Sequence, residues 1–121
     1  MQPDYTPMFG TVLLPYQASV AANAQVDNAF TGNQYQTAPF DGYLTIRGCA
    51  SAIGLKLSVF VQGQAKAIGF FMNTNNRVPI VPDDIIVGGI PVRAGQQIVV
   101  QVNNTTAGAL TANIVGELVP A

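Results

Sequence analysis

The chain has 121 residues, with one cysteine, no histidine and a net charge of −1. That length suits a single domain with a hydrophobic core of its own, and no apolar run approaches the roughly 18 residues that a membrane-spanning helix needs. No charged segment followed by an apolar one opens the chain, so we expect no signal peptide and no membrane partner. The single cysteine excludes an intramolecular disulfide, and nothing in the sequence demands an oxidising compartment.

The low charge content is the most informative feature of the composition. Only 9% of the residues are charged and 49% are hydrophobic, whereas about 25% are charged in ordinary soluble domains. The polar surface must therefore consist largely of Asn, Gln, Thr and Ser, and it has little charge repulsion to oppose association. Two interpretations follow: an amide-rich soluble domain, or a domain whose outer surface is covered by partner subunits. We favour the second and expect a homo-oligomer.

The first nine residues, Met1 to Phe9, carry two prolines and no hydrophobic period. They predict an extended N-terminal arm ahead of a single domain at residues 10–121. In a free arm, the apolar side chains of Tyr5, Met8 and Phe9 would be exposed to water. The arm either lies on a neighbouring subunit or folds back on its own domain, and the sequence leaves both open.

The first half of the domain predicts four strands. Gly10 to Tyr16 is a short strand at an edge or a bulge, because Pro15 cannot donate to a ladder. Ala18 to Phe30 alternates Val20, Ala22, Ala24 and Val26 with mostly polar residues, which favours a strand over the helix that its alanines suggest. The best patterned runs are Tyr43 to Cys49 and Leu55 to Gln62, which alternate with period two. We expect these two strands to be neighbours in one sheet.

The second half predicts short strands separated by turns. Ala67 to Met72 is apolar, Ile98 to Asn103 puts every second residue on one face, and Leu110 to Val119 does the same. Between them lie two brief extended pieces, Arg77 to Val81 and Ile85 to Val87, and the second is expected to end at Gly88-Gly89. About eight short strands with turn signals and no convincing helix are typical of an antiparallel sandwich or barrel. We expect an all-β, jelly-roll-like antiparallel β-sandwich.

The residue types exclude most catalytic chemistry. Without histidine, the usual general base and the commonest metal ligand are missing, and none of the serines can belong to a Ser-His-Asp triad. Cys49 has no base to activate it, so we expect a buried structural thiol. Gly88-Gly89 and Gly95 do not form a phosphate-binding pattern. We predict no catalytic residue, no cofactor and no enzyme.

Metal and nucleic-acid sites are also disfavoured. Asp83 and Asp84 are able to supply calcium ligands or acid/base groups together with Asp41 or Asp27, but the series of oxygen ligands that calcium needs is absent. We expect an aspartate that follows Pro82 in a turn and bonds to its own backbone, and no metal. Basic residues are few and scattered and the sequence pI is 4.9, which argues against a nucleic-acid partner.

Sugar binding remains open as an alternative. Aromatic rings and amides of the right kinds are present at Tyr35, Tyr43, Asn73, Asn75 and Asn76. Aromatic residues at strand entries are ordinarily packing residues, and asparagine at a loop tip is ordinarily turn chemistry. A glycan is therefore a possible partner, but the less favoured one.

Three segments carry a resemblance to a known group of proteins. They read TAPFDGYLTIRG, GLKLSVFVQG and IPVRAGQQIVVQVNNTTAGALTANIVGELV. The chain resembles small jelly-roll structural proteins of bacteriophages, including capsid decoration (cement) proteins and head domains of some tail proteins, from about Gly10 to Val119. The features shared are an Asp-Gly-Tyr strand entry, a V-x-A-G-Q-x-I strand entry and a final alternating strand.

The resemblance implies a non-catalytic virion component, made in the host cytoplasm and bound to the capsid surface. It implies an oligomer, a trimer above others, held on the major capsid protein or another virion protein. The alternative is a receptor- or glycan-binding head of a tail or fibre protein. From the residues themselves, we expect partner contacts at the arm and at one edge or loop segment: Tyr5, Met8, Phe9, Phe70, Phe71, Asn75 and Arg77.

Overall fold

The computed structural model of the chain describes residues 11–79 and 84–121, so the predicted arm at Met1 to Phe9 lies outside the described residues. Within these residues the structure has eight strands, and a short 3-10 turn at Gln34–Gln36 lies between the second and third. The strands are β1 Val12–Val20, β2 Gln25–Val26, β3 Gly42–Ala50, β4 Leu55–Val61, β5 Gln64–Phe71, β6 Ile85–Val92, β7 Ile98–Asn104 and β8 Leu110–Pro120. Within these two ranges of residues, no helix has the length and apolar character to cross a membrane.

The strands form two four-stranded antiparallel sheets. The first sheet has the order β1-β8-β3-β6 and the second has the order β2-β7-β4-β5. Among the pairs, β1 joins β8, β2 joins β7, β3 joins β6 and β4 joins β5. These nested pairs are those of one long hairpin folded over on itself. Its tip is the two-residue turn Gln62-Gly63, where both residues have positive φ as a type I′ turn requires. The predicted all-β antiparallel sandwich is confirmed.

The core lies between the two sheets and is filled by every second residue of the long strands. In β4, Leu55, Leu57, Val59 and Val61 are buried while the residues between them are only partly covered. The same alternation appears in β7 and, from Ile114 to Leu118, in β8, where Asn113 on the opposite side is also buried. The predicted inward faces of these three strands are confirmed. Phe30 is among the largest fully buried side chains and packs under Gly116 of β8.

The expected neighbourhood of β3 and β4 in one sheet is wrong. β3 pairs with β6 and β8, and β4 pairs with β5 and β7, so the two strands belong to opposite sheets. The link between them crosses the sandwich at Gly54, which has a φ of +133° and whose carbonyl accepts the backbone N–H of Thr105. The alternation of apolar and polar residues in the sequence indicates that a strand has one buried face, but it does not indicate which sheet contains the strand.

The expected strand from Ala18 to Phe30 is also wrong. β1 continues through Pro15 to Val20, as an edge strand of the first sheet, and the chain then turns. Asn23 adopts a positive φ, and the side chain of Asn28 accepts hydrogen bonds from the backbone N–H groups of Phe30 and Val100. The turn at Asn23 and the side-chain hydrogen bonds of Asn28 take the place of sheet pairing in this segment. Only Gln25 and Val26 therefore pair as β2.

Gly88-Gly89 does not end a strand, contrary to expectation. β6 passes through both glycines, with Gly89 at a φ of +69°, and the ladder between β3 and β6 shifts register beside them. A bulge of this kind accommodates an extra residue without ending the pairing. Of the predicted piece from Arg77 to Val81, the described residues 77–79 are not in a strand, and the rest lies outside the described residues.

Packing at Gly116 gives a direct test of the core. A Cβ added there would lie 2.9 Å from the ring of Phe30, which is fully buried. We expect Gly116→Ala to lower the free energy of unfolding by about 1–3 kcal/mol, because overpacking a core costs that much. Urea denaturation measures it.

The matched control is Gly108→Ala, since nothing lies within 4 Å of a Cβ added there. We expect a change of no more than about 0.5 kcal/mol. Equal effects of the two substitutions would contradict the packing of Phe30 against β8.

Candidate interaction surface

Apolar side chains are exposed on β5, the edge strand of the second sheet. Ile68, Phe70 and Phe71, here called the β5 edge patch, are each more than half exposed. Gly69 adopts a φ of +70° and its N–H donates to the Ser58 hydroxyl at 2.9 Å, which marks a bulge in the ladder with β4. The bulge interrupts the alternation of β5, so neighbouring residues are exposed together.

A cleft opens between β5 and β6, where the two sheets part at the edge of the sandwich. Its volume is about 280 Å³. The walls are apolar and the floor is polar, and the lining side chains are those of Phe70, Phe71, Ile85, Ile86, Asn73 and Asp84. An apolar side chain of a partner fits between the hydrophobic walls of a recess of this kind, since interface anchors fill well-packed pockets.

The carboxylate of Asp84 organises this end of the domain. It is completely buried and accepts hydrogen bonds from Arg77 at 3.0 Å and 3.2 Å, from Asn73 at 3.1 Å and from Asn75 at 3.5 Å. The expectation of an aspartate bonded to its own backbone in a turn did not foresee these side-chain partners of Asp84. A buried carboxylate needs partners for its charge, and this one recruits three side chains of the preceding loop. Asp83 lies outside the described residues.

The electrostatics of Asp84 follow from these contacts. Burial raises the pKa of Asp84, but hydrogen bonds from Cys49 and Arg77, together with the charge of Arg77, outweigh burial and hold the pKa below its ordinary value. Burial also raises the pKa of the Cys49 thiol, and the neighbouring Asp84 raises it further. Cys49 is buried, as predicted, and its thiol stays protonated beside a carboxylate.

The structure gathers the described members of the predicted contact set at one end of the sandwich. Phe70 and Phe71 line the cleft, while Asn75 and Arg77 hold its floor through Asp84. The other three predicted residues, Tyr5, Met8 and Phe9, lie outside the described residues. Sequence reasoning missed Ile68, although it stands in the apolar run AIGFF, and it missed Asp84 as the centre of the cluster.

The candidate glycan-binding residues do not form one site. Tyr43 begins the exposed face of β3, whereas Asn73 bridges to Cys49 near the other end of that strand. Six residues of strand separate the two positions by about 20 Å. Tyr35 lies in the 3-10 turn and packs against the core.

The acidic residues do not gather either. Asp41 accepts the backbone N–H of Ala94, and Asp27 accepts the side-chain amide of Gln25. Within residues 11–79 and 84–121, no group of three or more His, Cys, Asp or Glu side chains is placed to hold a metal ion.

Comparison of the chain with protein-family models, with curated protein sequences and with solved structures found no match.

The Asp84 cluster predicts a pH-dependent stability. A carboxyl whose pKa is depressed by folding stabilises the fold fully above its unfolded pKa of about 3.9, and loses that contribution as the pH falls through the folded value. We expect Asp84→Asn to cost about 1–3 kcal/mol at pH 7, with the difference from the unaltered chain shrinking below about pH 4. Urea denaturation at a series of pH values, from about pH 7 downward through the unfolded pKa, measures it.

The control for Asp84 is Asp27→Asn, because Asp27 is exposed and bonded only to the nearby Gln25 among the described residues. That variant should change the free energy of unfolding by no more than about 0.5 kcal/mol at pH 7. A cost for Asp84→Asn that is the same at pH 3 and pH 7 would contradict the assigned charge pairing.

Proposed function

We propose that this chain is a non-catalytic structural protein of a bacteriophage particle, a capsid decoration protein that binds the capsid lattice as a homotrimer. In this proposal the domain is a jelly roll, and the β5 edge patch with the adjoining cleft contacts the major capsid protein. Binding proceeds through buried apolar area at this surface and needs no cofactor. The protein is made in the host cytoplasm and functions on the surface of the virion.

The strand order supports the jelly-roll assignment. The nested pairs β1–β8, β2–β7, β3–β6 and β4–β5 are those expected when a long hairpin wraps into two sheets. The same topology is expected from the resemblance of the three sequence segments to small phage structural proteins. A fold alone does not assign a function, so the surface has to carry the rest of the argument.

The observation that carries the proposal is the β5 edge patch. Three large apolar side chains, Ile68, Phe70 and Phe71, stand exposed together at an edge strand and beside a recess. Exposed apolar clusters of this kind mark binding surfaces, and β5 presents this one at the edge of its sheet. The chain has few charges to oppose it, since 9% of its residues are charged.

The alternative proposal is a receptor- or glycan-binding head of a tail or fibre protein. It shares the fold and the oligomeric state, but it places the chain at a different part of the particle. Immunogold electron microscopy distinguishes the two, using an antibody raised against this chain on particles from the source of the sequence. We expect label distributed over the capsid; label at the tail or fibre tips favours the alternative, and unlabelled particles contradict both.

The contact surface is tested by adding the purified chain back to particles stripped of it. Phe71→Asp places a charge in the β5 edge patch, and a central contact residue of an interface typically contributes at least about 2 kcal/mol. We therefore expect binding to weaken by roughly 30-fold or more, as measured by co-sedimentation.

The control is Ile53→Asp, which makes the same chemical change at a side chain that is 70% exposed in the link between β3 and β4. It should bind as the unaltered chain does, and circular dichroism of both variants checks their folding. Undiminished binding of Phe71→Asp would exclude the β5 edge patch as the lattice contact.

A further inference from the structure

A recess at one corner of the sandwich gathers two of the five basic residues of the chain. It has a volume of about 280 Å³ and lies between the start of β5 and the end of β6. Lys66 and Arg93 line it, together with the apolar side chains of Val61, Pro91 and Val92. Among residues 11–79 and 84–121, every charged side chain that lines it is basic, and we call it the basic recess.

The two cations of the basic recess have no carboxylate partner in the part of the chain that the structure describes. The ion pairs there involve other basic residues, Arg47 and Arg77. The Lys66 Nζ donates to a neutral group, the side-chain oxygen of Gln64, at 3.5 Å. A recess with two positive charges and apolar walls is suited to a carboxylate carried by an apolar segment of chain.

Elimination among the six acidic residues of the chain leaves one candidate for this carboxylate. Four have partners elsewhere: Asp27, Asp41, Asp84 and Glu117. Asp41 is the nearest of them, since it lines a neighbouring recess with Arg93, but its carboxylate accepts the backbone N–H of Ala94 at 2.8 Å. Asp83 lies outside the described residues and precedes β6, whereas Arg93 follows that strand, so roughly 26 Å of strand separates them. The remaining acidic residue is Asp4.

The register places the start of β1 and the basic recess at the same end of the first sheet. Val12, Leu118, Leu44 and Ile90 are aligned in one row across β1, β8, β3 and β6. Each strand is antiparallel to the next, so β1 and β6 run in opposite directions. The chain before Val12 and the chain after Ile90 therefore leave this row on the same side.

Asp4 is close enough in sequence to reach this corner of its own domain. Three strand spacings of about 4.8 Å separate β1 from β6, and Arg93 is three residues beyond the aligned row, so roughly 16 Å separates Thr11 from Arg93 across a flat sheet. Thr11 is the first residue that the structure describes. An extended chain from Asp4 to Thr11 spans up to about 23 Å, which is sufficient.

We propose that the basic recess is the docking site of the N-terminal arm, with the carboxylate of Asp4 bound by Lys66 and Arg93 of the same chain. Asp4 is the one charged residue among residues 1–10, and Pro3 and Tyr5 beside it match the apolar walls of the recess. A carboxylate tethered within reach has a high effective concentration at the recess. The arm of the same chain is therefore favoured over a free acidic ligand or the arm of another copy.

This inference goes beyond the proposed function and uses a different part of the opening between β5 and β6 from the β5 edge patch. With the arm on its own domain, the lattice contact is left to the β5 edge patch. A chain that docks its arm and labels no capsid keeps the inference and loses the proposed function. A chain that labels the capsid with an undocked arm does the reverse.

The first test measures how well the arm is protected in the full-length chain. Chymotrypsin cleaves after aromatic residues, and the arm offers Tyr5 and Phe9. We expect Lys66→Gln with Arg93→Gln to accelerate cleavage of the arm by roughly 5-fold, because an exposed ion pair is worth up to about that factor. Asp4→Asn should accelerate it equally, and combining all three substitutions should add nothing further. Mass spectrometry identifies the cleaved bonds and their rates.

Two control variants separate docking from a general effect of charge. Lys66→Arg with Arg93→Lys keeps both positive charges and should leave the cleavage rate within about 2-fold of that of the unaltered chain. Gln17→Glu with Ile53→Asp changes the net charge by the same amount at exposed positions away from the recess. It should not accelerate cleavage, and circular dichroism checks that every variant folds.

The second test distinguishes the arm of the same chain from that of another copy. Tyr5→Cys with Gln64→Cys places a thiol beside Asp4 and another in the recess, while the charges stay in place. Oxidation with diamide should join them within one chain, as seen by the mass on a non-reducing denaturing gel, and Asp4→Asn should slow this roughly 5-fold. The control, Tyr5→Cys with Ile53→Cys, places the second thiol in the link between β3 and β4 and should not cross-link; the native Cys49 is buried.

Three results would overturn the inference. The first is arm cleavage at the same rate in the unaltered chain, in Asp4→Asn and in Lys66→Gln/Arg93→Gln. The second is acceleration by the recess variant without acceleration by Asp4→Asn, which would assign the recess to an anion from outside the chain. The third is cross-linking of Tyr5→Cys/Gln64→Cys between two chains only, which would assign it to the arm of another copy.

Discussion

The fold depends on burying one apolar face of each sheet against the other. Leu44 and Ile46 of β3 and Leu57 and Val59 of β4 face one another across the core, although they are close in sequence. A slip of one residue in any of these strands would turn its apolar side chains to the outside, so the burial of the inward faces fixes the register. The register in turn decides which side chains meet on the outer faces, where the proposed contacts lie.

The outer surface divides into regions with different chemistry. Both outer faces mix polar and apolar side chains, with the Arg47–Glu117 ion pair on the first sheet and the Phe60–Val99 pair on the second, whereas the open edge at β5 presents aromatic rings beside a cleft. The Asp84 cluster closes the bottom of that cleft by binding three side chains of one loop. A chain with 9% charged residues has little charge repulsion to keep such surfaces apart. Assembly is the function that these surfaces favour.

The sequence predicts the strands of this fold better than it predicts their arrangement. Alternation in β4, β7 and β8 identifies their core-facing residues, because a half-buried strand has a period of two, but it does not identify the buried Asn113. The partition of strands between sheets depends on long-range pairing, and nothing in the sequence around Gly54 indicates that the chain passes there from one sheet to the other. The side chain of Asn28 bonds to Val100, a residue far along the chain. The row of Val119, Tyr43 and Pro91 likewise exists only once three distant strands are in register.

The most direct test of this account is the mass of the unaltered full-length chain in solution, measured by light scattering over a range of concentrations. The account predicts a discrete closed assembly, three times the chain mass of 12.7 kDa, that persists on dilution. A soluble single chain at every concentration would contradict it. In that case the β5 edge patch and the low charge would need another explanation.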